Sequence, residues 1–344
     1  MEIVNQLDRC MWKDFVKNHP KGNIFHTPEM FDVYAKGKGH HPSLWAVIEN
    51  NRVLALHIPV QITLLGGPFR YLTTRDVDFG SVLVENSEQG RRGLALLLQE
   101  YNCCVPGKPL FTELRNFADQ SYIQDILQDN GYLFEGHLNY LLDLRRDESA
   151  ILQSFTKSTR NRIRKILRQG SIIVKEVTER ENLPLFYEML KKTFKAVRVP
   201  IADISLFEGA FDVLRPKNMA YFAIAYVNGT PAAAEVAIIY KDVVLGWYNG
   251  VDRTFKYANE LLMWDIITWG ANNGYSVLDF GGAGKPGEEY GVRDFKSKFN
   301  GKLVNYGRNT RVQARLKMKI SETAYQVARG GLFVLHRLGN SLSL

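Results

Sequence analysis

The sequence predicts an α/β (α+β) protein of two similar units in tandem, each a mixed, mostly antiparallel sheet flanked by helices. Three observations predict it. The chain has 344 residues, 45% of them hydrophobic and 23% charged, which is globular in composition and too long for one average core. Strand–turn–strand patterns alternate with helical ones in both halves. The two halves also read alike at an offset of 177 residues.

The elements follow in order. Residues 45–55 run apolar on both sides of the polar Asn50-Asn51, and residues 222–232 do the same around Asn228-Gly229, so each predicts a hairpin with a tight turn. At the common offset Ala46 meets Ala223, Asn51 meets Asn228, and Tyr71 meets Tyr248. That last pair is expected in a following strand, QITLLGGPFRYLT in one half and VVLGWYNGV in the other. Helical stretches at 91–101 and 259–272 lead into strands at 110–114 and 276–280, and an Asn-Gly pair (Asn130-Gly131, Asn300-Gly301) precedes a final strand in each half. The expected division is an N-terminal unit at 1–145, a C-terminal unit at 146–309 and a basic helix with a short tail at 310–344. That helix should end at Gly330-Gly331 and pack back on the first unit.

Composition excludes several classes. No apolar run reaches the ~18 residues that span a bilayer, and the N-terminus offers no apolar leader core. Cys10, Cys103 and Cys104 make a poor disulfide framework, and no His or Cys spacing suggests a metal, so a reduced, cytoplasmic, metal-free protein is expected. The net charge of +8 suits either simple solubility or an anionic partner.

Residues 150–168 are read as one helix. Leu152, Phe155, Ile163 and Ile166 form its apolar face, while Lys157, Arg160, Arg164 and Arg168 stack as a basic stripe. Such a stripe either is solvated or grips phosphates through guanidinium forks. Further on, the strand Leu278-Asp279-Phe280 runs into Gly281-Gly282, where backbone can approach a ligand closely. Next come Phe295 and Phe299, four apart, anchoring a short helix that carries Lys296. From spacing alone Lys296 is either a snorkelling surface lysine or a donor to an oxyanion worth roughly 3 kcal/mol. Glu235, in the apolar strand AAAEVAII, and Asp279 are candidate bases for an acceptor amine.

These residues, Thr159-Arg160-Asn161-Arg162-Ile163-Arg164-Lys165, Gly170, Asp279-Phe280-Gly281-Gly282 and Phe295-Lys296-x-x-Phe299-Asn300-Gly301, resemble in order and spacing the FemAB-type aminoacyltransferases and the BioF-like acetyltransferases of the GNAT superfamily. The resemblance runs over nearly the whole chain, from the Asn23-Ile24-Phe25-His26-Thr27-Pro28 entry onward. It implies two GNAT-like domains and transfer of an amino acid from aminoacyl-tRNA to an amine of a cell-wall (peptidoglycan) precursor. It further implies that Lys296 stabilises the tetrahedral intermediate, that Arg160 and Arg164 belong to the substrate-binding helix, and that Tyr248 walls the channel. Gly281, Gly282, Phe295 and Phe299 are grouped with the substrate-binding residues. Two features depart from the family pattern. The usual Gln-Ser-x-x-Trp is replaced by His26-Thr27-Pro28-Glu29-Met30, and Lys36 is out of register with a nucleotide-contacting lysine. The family's long helical hairpin is also missing from the pattern.

GNAT enzymes that use acyl-CoA cradle its pyrophosphate on a Gly-rich turn at a helix N-terminus. Here Gly90-Arg91-Arg92-Gly93-Leu94-Ala95 lacks the leading residue, and Arg253-Thr254-Phe255-Lys256-Tyr257-Ala258 puts lysine in place of the middle glycine. Aminoacyl-tRNA is therefore the favoured co-substrate, with no cofactor or metal. The alternatives are an acyl-CoA N-acyltransferase acting on a sugar or lipid-linked amine, and a binding protein without chemistry. The terminal cations Arg311, Arg315, Lys317 and Lys319, with Leu316 and Ile320, also suit peripheral contact with the inner face of a membrane.

Overall fold

The computed structural model describes residues 1–64, 67–321 and 323. Both predicted hairpins form. Asn50 and Asn51 take φ 49° and 60°, Asn228 and Gly229 take 48° and 80°, the left-handed pair that a two-residue turn needs to match strand twist. The first turn joins Trp45–Glu49 to Arg52–His57, and the second joins Ala220–Val227 to Thr230–Tyr240.

A seven-stranded sheet organises the C-terminal unit, in the order Ile172–Glu176, Ala220–Val227, Thr230–Tyr240, Val243–Val251, Val277–Gly282, Leu138–Asp143, Lys302–Asn305. Its side chains alternate between two cores except at bulges. Phe222, Ile224, Val236, Ile238 and Leu245 enter one core, shared with helices Leu183–Ala196 and Ile204–Leu214. Ala223, Ala225, Ala233, Ala237 and Val244 enter the other, where the small alanines let helix Ala258–Asn272 lie against the sheet. That helix is buried on most sides because Lys157–Gln169 covers its outer face through Ile163 and Ile166.

The N-terminal unit repeats the plan with a broken sheet. Pro59 interrupts what is one long strand in the C-terminal unit, leaving Arg52–His57 in a four-stranded sheet and Val60–Thr63 in a six-stranded one. In each unit a helix (Glu88–Cys104 or Ala258–Asn272) crosses between two parallel strands, Thr74–Asp78 with Phe111–Arg115 and Val243–Val251 with Val277–Gly282. Tyr71 is not in a strand: Gly67–Leu72 is a 3₁₀ turn, because Gly67 takes φ 61° and Pro68 has no N–H for a ladder, and the strand begins at Thr74.

The expected division at 145/146 cuts through an exchange of strands. Leu138–Asp143 lies in the C-terminal sheet between Val277–Gly282 and Lys302–Asn305. Arg308–Val312 lies in the N-terminal sheet between Phe111–Arg115 and Leu133–Glu135. The two exchanged segments are one antiparallel ribbon. Leu133 pairs with Thr310, Glu135 with Arg308, Leu138 with Asn305 and Leu141 with Lys302, all in the same register. The ribbon bends at Gly136-His137 and Tyr306-Gly307, where the Gly307 N–H still donates to the His137 carbonyl at 3.2 Å.

Two helices differ from expectation. Residues 150–168 are not one helix: Glu148–Ser154 and Lys157–Gln169 are separated by extended backbone at Phe155 and Thr156. The break lets Phe155 bury itself against Phe299 and Trp264, and frees the Thr156 N–H to donate to the Lys298 carbonyl. The terminal helix begins at 315 rather than 310, because Arg308–Val312 is taken into the sheet. Residues 324–344, including Gly330-Gly331 and the tail, lie outside the described residues. No helix among the described residues is long and apolar enough to cross a membrane.

Gly307 is the test of the ribbon. It holds φ 69°, and a Cβ there would run into the Phe134 ring. Gly307→Ala is expected to lose about 1–3 kcal/mol from backbone strain, with more from the ring contact, and to lower the melting temperature of both units together. Gly229→Ala, with φ 80° and open space around it, isolates the backbone effect. Thermal unfolding followed by circular dichroism should show the larger drop for Gly307→Ala, in one transition.

Candidate active site

The parallel strands Val243–Val251 and Val277–Gly282 stay paired only through Val243–Val277, Val244–Leu278 and Leu245–Asp279, then diverge. A bulge between Val236 and Ala237 drives the divergence, since Trp247 is the extra residue between Gly246 and Tyr248 on the facing strand. The opening is lined by glycine because it is crowded. A Cβ on Gly246 would meet Glu235 Oε1 at 2.8 Å, and one on Gly281 would meet the Gly246 carbonyl at 2.9 Å.

Lys296 reaches this opening. Its helix, Gly291–Ser297, is held by Phe299, fully buried against Phe155, Phe280 and Phe295, and its Nζ donates to the Gly282 carbonyl at 2.9 Å. The ammonium stands 3.8 Å from the position a Gly281 Cβ would take. Burial lowers the Lys296 pKa to about 8, against the pull of Asp279 and Glu235. The glycine turn is shaped by Asp279: its Oδ1 accepts the Gly281 N–H at 2.7 Å, and Asn139 Nδ2 donates to both of its oxygens. Burial raises Asp279 to about 6 despite those donors and Lys296. Glu235 is on the helix side of the sheet, where Asn249 Nδ2 donates to it at 2.9 Å and also to Asn259 at 2.8 Å. Burial raises Glu235 to about 7, with Asn249 and Lys296 opposing.

On the other side of the sheet, a cavity of about 340 Å³ lies between the two units, lined by Gly246, Tyr248, Gly281 and Gly282 from one and by Phe25, Phe79 and Arg115 from the other. His137 closes it next to Gly282, accepting from Arg308 at 2.9 Å; burial and Arg308 lower its pKa to about 4, so its ring is neutral. Glu113 accepts from both Arg308 and Arg115. Burial alone would raise Glu113, but the two arginines bring it to about 2. A larger cavity, about 720 Å³, shares Phe79, Arg115 and Tyr248 as walls and adds Lys38, Arg70 and Arg75. Arg75 is lowered by burial and by Arg115, its Nε is buried without a partner, and no hydrogen bond or ion pair among the described residues engages its guanidinium.

The structure thus gathers Lys296, Asp279, Glu235, Tyr248, Gly281 and Gly282 around one opening. Phe295 and Phe299 serve it from the core side. Arg160 and Arg164 are on the helix that covers Ala258–Asn272, and no hydrogen bond or ion pair joins either to the three charged residues. Arg160 turns back to the Gln153 carbonyl at 2.8 Å. The helix is nonetheless fixed to the site, through the Thr156–Lys298 bond and through Arg162, which pairs with Glu260 at 2.7 Å and covers the Tyr257 ring. Sequence reasoning missed Asn139, His137, Asn249, Arg75, Arg115 and Arg308. Asn249 carried a signal, a polar residue three after Gly246 in an apolar strand. The others depend on the exchanged ribbon and the inter-unit cleft. Among the described residues no cluster of His, Cys, Asp or Glu could hold a metal.

Residues 153–297 match the model of the family described as acetyltransferase (GNAT) domain. No curated protein matches the chain. Among solved structures, FemX superposes with a TM-score of 0.69 at 15% identity, covering 95% of this chain and 99% of its own. A tandem GNAT protein from the clavulanic acid biosynthesis pathway gives 0.57 at 12%, covering 91% and 98%. The C-terminal domain of a putative lysylphosphatidylglycerol synthetase from Agrobacterium fabrum gives 0.55 at 11%, covering 92% and 94%. Residues 153–297 thus match a GNAT domain, and the whole chain shares the tandem GNAT-like fold of these structures.

Proposed function

We propose that this chain forms an amide bond by transferring an aminoacyl group from aminoacyl-tRNA to the amine of a phosphate-bearing envelope precursor. One observation carries the reading: the Lys296 ammonium is held against a glycine turn where two parallel strands part, close to the buried carboxyls of Asp279 and Glu235.

The amine nitrogen attacks the ester carbonyl carbon and a C–N bond forms. Lys296 donates to the resulting oxyanion, a fixed donor in a dry setting. Glu235 takes the proton from the attacking nitrogen, its raised pKa suiting it to exchange protons near neutrality. The C–O bond to the ribose then breaks as the oxyanion collapses, and the leaving oxygen takes the proton held by Glu235, which returns to its carboxylate form. Asp279 shapes the glycine turn and reinforces the charge of Lys296. Two features support tRNA as donor. The stripe around Arg160 and Arg164 flanks this side of the sheet. At the start of helix Ala258–Asn272, where a CoA pyrophosphate would rest, Glu260 occupies the first turn and Arg162 is committed to it. The unpaired Arg75, with Lys38, Arg70 and Arg115, supports an anionic group on the acceptor. The names FemX and lysylphosphatidylglycerol synthetase among the structural relatives agree with transfer in the envelope.

The test supplies labelled aminoacyl-tRNA or labelled acyl-CoA with candidate amines. Transfer from aminoacyl-tRNA is expected; transfer from acyl-CoA alone, or from neither, overturns the reading. Lys296→Ala should lower kcat by about 10²–10³-fold with its circular dichroism unchanged. The pH–rate profile should be bell-shaped, rising as the carboxyls at about 6 and 7 ionise and falling as Lys296 loses its proton near 8. In Lys296→Ala the alkaline limb should vanish.

Stability gives an independent check. Glu235 moves from 4.5 in the unfolded chain to about 7 on folding, so between these values the native state binds the extra proton and stability falls as pH rises. Glu235→Gln should flatten that fall in denaturant titrations across the same window. An unchanged slope would mean that Glu235 is not protonated by burial.

A further inference from the structure

We propose that the terminal helix and the turn it leans on form a docking face for an anionic phospholipid bilayer. The proposal deepens the function above and rests on it, in that it places the phosphate-bearing acceptor at a membrane.

Among the described residues, helix 315–321 meets the first unit through Lys317 and Ser321. Lys317 Nζ lies 5.5 Å from the centre of the Tyr71 ring, and Ser321 Oγ donates to the Leu72 carbonyl at 2.8 Å. Leu316 and Ile320 each sit one residue earlier, hence about 100° around the helix from that contact. They are 80% and 57% exposed, and Tyr71, under Lys317, is 57% exposed. Arg315 and Lys319 share a spacing of four and flank the apolar pair, and residues 311–321 contain no acidic residue. An intramolecular contact would bury Leu316 and Ile320, and a nucleic-acid surface would use the cations without needing exposed aliphatic side chains. An anionic interface uses both, as apolar side chains enter between headgroups while lysine and arginine meet their charge.

Position strengthens the case. Leu64, Gly67 and Arg70, from the same turn, also line the larger cavity that contains the unpaired Arg75. A molecule seated through this face holds that cavity at headgroup level, so a lipid-linked amine would present its phosphate to Arg75 without leaving the bilayer.

The full chain would be sedimented with vesicles of phosphatidylcholine alone and of phosphatidylcholine mixed with phosphatidylglycerol. Retention is expected only on the anionic vesicles, with release by salt. Arg315→Gln and Lys319→Gln should each weaken retention by about fivefold, and Leu316→Glu should weaken it further. Transfer to a water-soluble amine should be unchanged in all three variants, which separates failure of docking from failure of the catalytic reading. No retention of the wild-type chain, or equal retention of the variants, overturns the proposal. So does retention that appears only after residues 324–344 are removed, since the chain's own end would then cover the face. Loss of self-association or of RNA binding in the variants, with vesicle retention intact, assigns the face to another partner and likewise overturns it.

Discussion

The site depends on a single ladder of hydrogen bonds that runs through both units. Residues 133–141 and 302–310 pair in one register from the N-terminal sheet into the C-terminal one. Slipping a ribbon by one residue reverses every side chain it carries, so this register fixes several groups at once. Asn139 is turned beneath Asp279, His137 beside Gly282, and Arg308 toward Glu113 on the neighbouring strand of the first unit. Asn139 thereby ties the carboxylate that shapes the glycine turn to a strand contributed from the other half of the sequence. Neither unit has a complete sheet without the other, because each receives a strand from the other half of the chain.

Within that frame the divergence of two parallel strands leaves a glycine-lined break in the ladder beside Lys296. Elsewhere the two faces of the sheet are sealed by alternating core residues, phenylalanine and isoleucine on one side and alanine on the other. At Gly246 and Gly281 the neighbours come so close that a Cβ at either would collide with Glu235 or with backbone. Glu235 and the basic helix belong to one face, Tyr248 and the inter-unit cavities to the other, and Lys296 lies against the glycine turn between them.

Much of this was legible in the sequence, and the failures have a common cause. The Asn50-Asn51 and Asn228-Gly229 turns announced both hairpins because left-handed backbone is a local requirement. The Phe295–Phe299 spacing located the Lys296 helix because burial at a spacing of four is also local. Leu152, Phe155, Ile163 and Ile166 are all buried as their spacing implied, yet the helix they were assigned to is broken at Phe155. The break is stabilised by Phe299 and the Lys298 carbonyl, more than a hundred residues away, and no local pattern encodes that. The same holds for Arg308–Val312, whose basic residues suit a helix surface but whose backbone is claimed by strands of the first unit. Tyr71 was matched with Tyr248 by offset alone, and the Gly67-Pro68 pair overrode the match. Arg75 could not be recognised from sequence, because what distinguishes it is the lack of a partner in a cleft built from both units.

The charges at the opening are unequal in number: two buried carboxyl groups face one half-buried ammonium. Were both carboxylates ionised throughout the proposed reaction, an oxyanion forming nearby would add a third negative charge to a site of low dielectric, and Lys296 would have to offset all three. Proton transfer relieves this. When the attacking amine yields its proton to Glu235, one carboxylate becomes neutral at the stage when the oxyanion needs stabilisation. The number of negative charges around Lys296 is then unchanged as negative charge passes from carboxylate to oxygen. The raised pKa of Glu235 makes that transfer inexpensive, while Asp279, fastened by Gly281 and Asn139, remains in place to hold Lys296 cationic. Burial, which opposes every charge in the site taken alone, is what couples them, because in water the same three groups would titrate almost independently.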